Sequence, residues 1–131
     1  MAEDTNEGTL LSDAMVARVA ARMRAMADET RIRLLLRLKH GPCGVKQLAE
    51  DLGVGQPSVS KHLAVLKQVG LLECERRGTQ SLYSVSDKTI FDLCALVCEG
   101  VQRWVSAEHA ALNLPQQMPE AISPTRTRST Q

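Results

Sequence analysis

Cys94 and Cys98 stand four residues apart in a stretch whose apolar residues recur at helical spacing. That places both thiols on one helix face, their α-carbons about 6 Å apart along the axis. Thiolates so arranged can share a soft ion such as arsenite, antimonite, cadmium or lead. Two more sulfurs from a facing helix would complete a four-sulfur site. The same thiols can instead answer oxidants or reactive sulfur, or Cys94, in the middle of the apolar stripe, can serve as a small buried hydrophobe. Cys98 lies nearer the stripe's edge and is expected to be the more reactive. The i,i+4 spacing is near the limit of disulfide reach, so a bridging ion suits it better than a direct bond. Cys43 precedes a helix N-terminus, where the dipole favours thiolate, which makes it a third ligand, a redox thiol or a structural residue. Cys74 lies between Glu73 and Glu75, whose charges oppose thiolate formation, and is expected to pack.

A second set of residues suits duplex DNA. Gln56 can read adenine, Ser58 and Ser60 can meet base edges or phosphate, and Lys61 can meet guanine or phosphate. His62 falls near the margin of the apolar face, where packing and DNA contact are equally consistent with its position. Arg76, Arg77, Thr79 and Gln80 form a basic, glycine-containing segment suited to phosphate or minor-groove contact. A merely solvated surface is the plain alternative for both groups.

The elements that must position these residues follow from the pattern around them. Val45, Leu48, Ala49 and Leu52 share one helix face, and Val59, Leu63, Leu66 and Val69 share another. Gly53 and Gly55 between them can take the positive φ that ends a helix, and Pro57 suits the first turn of the next. This is a helix-turn-helix, whose second helix normally enters the major groove. Behind it, residues 71–77 and 81–85 read as two strands around Gly78-Thr79-Gln80, a β-hairpin wing. Ahead of it, Ser12 or Asp13 can cap a helix to about Ala27 with Met15, Val16, Val19, Met23 and Met26 on one stripe. Asp28 can cap a second helix, Glu29 to His40.

A last helix is expected from Asp87 to about Glu108, with Ile90, Leu93, Cys94, Val97, Val101, Trp104 and Val105 on one stripe. Long apolar stripes at both ends of so small a chain are economically explained by a second subunit. The fold expected is therefore mainly α with a small β-hairpin wing, a winged helix-turn-helix that forms a homodimer through its first and last helices. Residues 1–11 read as a flexible acidic arm, 12–108 as the DNA-binding and dimerisation domain, and 109–131 as a disordered tail rich in Pro, Thr, Ser and Gln.

Composition narrows the function. Residues 12–85 carry twelve Lys or Arg against seven Asp or Glu, so positive charge sits on the part that holds the helix-turn-helix, as phosphate contact requires. With aromatics at 2% of the chain, Leu, Val, Ala and Met must supply the buried surface. No apolar run reaches the roughly 18 residues of a membrane span and no signal-peptide pattern is present, so a cytoplasmic location with reduced thiols is expected. An enzyme finds little support: no serine has a His and acid partner, Glu50 and Asp51 diverge on their helix, and no glycine-rich phosphate loop occurs. A winged helix used only for protein interaction would differ from a DNA-binding regulator in lacking salt-dependent duplex binding.

The chain resembles the ArsR/SmtB family of winged-helix, metal-sensing repressors. The residues that carry the resemblance are Ala27-Asp28-Glu29-Thr30-Arg31-Ile32-Arg33-Leu34-Leu35, Gln56-Pro57-Ser58-Val59-Ser60-Lys61-His62-Leu63, Leu66, Gly70-Leu71-Leu72, Arg76-Arg77-Gly78 and Leu82-Tyr83-Ser84. The resemblance covers about residues 12–108 and implies a homodimer that binds a palindromic operator and leaves it when an effector arrives. The family's arsenic site, Cys-Val-Cys-Asp-Leu-Cys, has no counterpart in Gly44-Val45-Lys46-Gln47-Leu48-Ala49, with Cys43 just outside. Its zinc site on the last helix is matched by Asp87 alone, since Thr89, Gly100 and Arg103 stand where histidines are expected.

Overall fold

A computed structural model describes residues 12–112. The expected acidic arm, and all of the expected tail beyond Leu112, lie outside the described residues. Helices α1 (Asp13–Met26) and α2 (Glu29–Leu38) come first, then strand β1 (Cys43–Gly44), helices α3 (Val45–Leu52) and α4 (Gln56–Gln68), strands β2 (Leu72–Arg77) and β3 (Gln80–Val85), and helix α5 (Ile90–Leu112). The chain divides into two compact units after Asp87.

In the first unit the caps act as the sequence indicates. Ser12 Oγ accepts from Met15 N at 3.2 Å and Asp28 Oδ1 accepts from Arg31 N at 3.1 Å, each meeting a donor that the helix start leaves unpaired. Gly53 ends α3 in the left-handed conformation at φ 68°. Gly55, by contrast, is the N-cap of α4 at φ −65°, an ordinary backbone geometry, so one glycine and not two makes the turn. The core is aliphatic: Leu34, Leu35, Leu48, Val59, Leu63, Leu66 and Leu71 are fully buried. They come from α2, α3, α4 and the approach to β2, so the helix-turn-helix and wing share one packed interior.

The wing has three strands rather than the two expected. β1 joins the hairpin on its β3 side, giving the order β1-β3-β2, antiparallel throughout. Cys43 pairs with Tyr83 and Cys74 also pairs with Tyr83, so the three side chains form one row across the sheet. A two-residue strand carries no alternation, so no sequence pattern marks it.

The second unit is dominated by α5. It begins at Ile90 rather than Asp87, because residues 88 and 89 form a turn, and it runs to Leu112 rather than Glu108. His109, Ala110, Ala111 and Leu112 contain no breaker, so the helix continues through them and the boundary expected at residue 108 moves outward. The expected single stripe also divides. Of its members Ile90 is buried, whereas Val97, Val101 and Trp104 are exposed.

Candidate nucleic-acid interface

Helix α4 buries Val59, Leu63 and Leu66 and thereby turns its other side outward. Gln56, Pro57, Ser60, Lys61, Ala64 and Gln68 are exposed, and Ser58 and His62 are half-buried. Gly55 and Pro57 start the helix without a capping side chain, so its first amide groups keep their donor capacity at the end that carries Gln56, Ser58 and Lys61.

The wing supplies a separate basic edge. Arg76, Arg77, Thr79 and Gln80 are exposed around Gly78, whose φ of 64° makes the two-residue turn. Arg77 lies 3.5 Å from Glu75, a loose surface pair that leaves it able to meet phosphate. Gln80 closes the hairpin opposite Arg77, and its amide lies over Gly44, 3.1 Å from where a Cβ would stand.

His62 is not simply packed. Its Nδ1 lies 3.1 Å from Arg31 Nη1 and 4.0 Å from Asp28 Oδ1, both from the start of α2. Arg31 also donates through Nε to the carbonyl of Ala25. Asp28 is held below the ordinary carboxylate value, first by the hydrogen bond from the amide of Arg31. Beside this group a cleft of about 390 Å³ opens between α2 and α4, with Arg31, Ser58, Lys61 and His62 in its wall. Sequence patterning gave Arg31 no role at this surface. Its only signal was membership in the Asp28–Leu35 segment.

The cysteines differ from expectation in their surroundings. Cys98 is buried and Cys94 half-buried, the reverse of the accessibility expected, because the covered side of α5 is centred nearer Cys98. Cys43 is buried in β1, and Arg37 donates from Nη2 to its sulfur at 3.6 Å, so it is enclosed in the sheet rather than open at a helix end. Cys74 is half-buried and hydrogen-bonded to Tyr83, whose phenol is pushed up chiefly by burial and then by Cys74. Among the described residues no three of His, Cys, Asp or Glu gather into a set able to hold an ion.

Residues 28–73, the helix-turn-helix with its preceding helix, match the family described as bacterial regulatory protein, arsR family. The HTH-type transcriptional regulator NmtR of Mycobacterium tuberculosis is 33% identical over 111 residues, 85% of this chain and 88% of that one. The chain belongs to the arsR family. A probable mercury resistance operon repressor of Streptomyces lividans is 36% identical over 88 residues, 67% of this chain and 66% of its own length. Among solved structures, the homodimeric winged helix-turn-helix DNA-binding domain of a possible ArsR-family regulator from Mycobacterium bovis superposes with a TM-score of 0.62 at 27% identity, covering 82% of this chain and 94% of that one. The arsR family is one of transcription regulators and not of enzymes, and the mainly helical winged fold is the one expected of it. No helix among the described residues is long and apolar enough to cross a membrane.

Proposed function

We propose that this chain is a cytoplasmic, homodimeric repressor that holds double-stranded operator DNA through α4 and the wing, and releases it when Cys94 and Cys98 take up a thiophilic metal or metalloid ion. The exposed polar face of α4, from Gln56 to Gln68, is the observation that carries the DNA-binding part. Gln56, Ser58, Ser60, Lys61 and His62 would meet base edges or phosphate at the major groove, and Arg76, Arg77, Thr79 and Gln80 would meet the flanking backbone. The dimer is supported by the apolar residues each unit leaves exposed: Met15, Val16, Val19 and Met23 on α1, and Val97, Val101 and Trp104 on α5. The homodimeric relative from Mycobacterium bovis supports the same assembly.

For the effector, two thiols one helical turn apart offer half of a four-sulfur site, and a second subunit's pair would complete it. A relative named as a mercury resistance operon repressor supports a soft ion. The test is DNA release from a duplex taken upstream of the chain's own gene, measured against arsenite, antimonite, cadmium, lead, peroxide and polysulfide. The expected result is release by a soft ion in the wild type and none in Cys94→Ser/Cys98→Ser, which still binds DNA. Release by peroxide or polysulfide alone, reversed by reductant, would replace the ion with reactive sulfur or oxidant sensing.

A further inference from the structure

Arg31 lies outside the helix-turn-helix, yet its guanidinium lies against a side chain of the recognition helix. The contact from Arg31 Nη1 to His62 Nδ1 is 3.1 Å. A guanidinium nitrogen can only donate, so Nδ1 must accept, and the imidazole proton must sit on Nε2. The competing arrangement, a protonated Nδ1 turned to Asp28 Oδ1 at 4.0 Å, would set two N–H groups against each other across the shorter distance. Arg31 is itself braced, because its Nε bonds to the Ala25 carbonyl where α1 ends, and its own amide is capped by Asp28. The donor form of His62 is thus imposed by a part of the fold that the groove-reading residues do not include.

His62 shares the wall of the 390 Å³ cleft with Ser58, Lys61 and Arg31. Its chemistry there is that of an anion seat: a primary ammonium, a hydroxyl, and an imidazole whose one remaining nitrogen carries a proton. The half-buried ring, 21% exposed, restricts its motion, so its orientation depends on what holds Nδ1. We propose that this cleft seats one phosphate of the DNA backbone, contacted by Lys61, Ser58 and His62 Nε2, and that Arg31 is the positioning residue that holds His62 in the donor form. The proposal rests on the DNA-binding function proposed above and deepens it by assigning a role to a residue of α2.

The test uses the full chain and a short duplex of mixed sequence, since phosphate contact does not depend on the bases read. Side-chain nitrogen NMR of His62 in the wild type should give the signature of a proton on Nε2 and none on Nδ1. Arg31→Met keeps an unbranched apolar stem and removes the guanidinium donor, so it should give mixed tautomers. It should also weaken duplex binding about threefold to tenfold, as expected for loss of one hydrogen bond. The salt dependence of binding should stay at its wild-type slope, because Arg31 does not itself neutralise a phosphate, whereas Lys61→Ala should lower the slope by about one.

His62→Gln leaves the Arg31–Ala25 contact in place and guards against misfolding of the Arg31 variant. In that background Arg31→Met should cost no further affinity. An equal loss in both backgrounds, a salt slope lowered by Arg31→Met, or a wild-type proton on Nδ1 would each overturn the positioning role. A His62 signal moved by inorganic phosphate at matched ionic strength but not by duplex would overturn the DNA assignment. A wild type with no salt-dependent duplex binding would instead reject the DNA-binding function itself, a result separable from every variant comparison.

Discussion

Arg22 grips the main-chain carbonyl of Val69 with two nitrogens, Nε at 3.1 Å and Nη2 at 2.9 Å. Val69 is the residue that ends the recognition helix, and Arg22 belongs to α1, 47 residues earlier. The same guanidinium donates from Nη1 to Asp87 at 2.7 Å. One side chain of α1 therefore satisfies a helix-end carbonyl and neutralises the carboxylate just before α5.

Removing that grip should cost stability. Arg22→Ala leaves the Val69 carbonyl and Asp87 without it, and the expected loss is about 1–2 kcal/mol by urea unfolding. Gly70→Ala should cost a similar amount by a different route. Its φ of 81° is strained for alanine, and the new Cβ would stand 2.9 Å from Arg22 Nη2.

Acid should weaken the start of α2 in a defined window. The Asp28 carboxyl is held below its ordinary value of 3.8, mainly by the Arg31 amide it caps. A depressed carboxylate contributes stability that is fully present above the unfolded value and lost as pH falls through the folded one. Asp28→Ala should therefore lower stability by about 1 kcal/mol at neutral pH. The difference from wild type should shrink below pH 3.8, which unfolding curves at stepped pH will measure.

Lys61→Ala and Arg77→Ala should each weaken DNA binding while leaving the oligomeric state unchanged. Loss of one phosphate contact lowers the salt slope by about one unit. Unchanged affinity and slope in both variants would move the DNA-contacting surface away from α4 and the wing.

Val101 tests the assembly. It is 39% exposed on a helix whose neighbouring Val97 and Trp104 are more exposed still, so a charge there costs a single subunit little. In a dimer built on this face Val101→Glu would bury an unpaired carboxylate. Sedimentation should report dissociation with folding retained, and DNA binding should fall because one half-site offers too few contacts. A dimer of unchanged strength would remove this face from the interface.

Most of the architecture was legible in residue order alone, for local reasons. The caps at Ser12 and Asp28, the left-handed stop at Gly53, Pro57 at the start of α4 and the Gly78 turn each act within a few residues of themselves. Helical periodicity likewise identified which side of α4 is buried, and with it the exposed row from Gln56 to Gln68.

Periodicity says which residues share a face but not which sector of that face is covered, so it makes α5 a single stripe with Cys98 nearer the open edge than Cys94. Its covering is decided by packing, which buries Cys98 and leaves Val97, Val101 and Trp104 exposed. β1 was too short to carry a pattern, and it exists because its two residues pair with Tyr83 and Leu82 some 40 residues away. Arg22 on Val69 and Arg31 on His62 are of the same kind, spanning 47 and 31 residues. By itself the sequence determined the helices, the turns and the polar face, since short-range sterics and hydrogen bonds select them. Only the tertiary structure decided which distant groups meet, because such contacts form from packing geometry and leave no periodic trace along the chain.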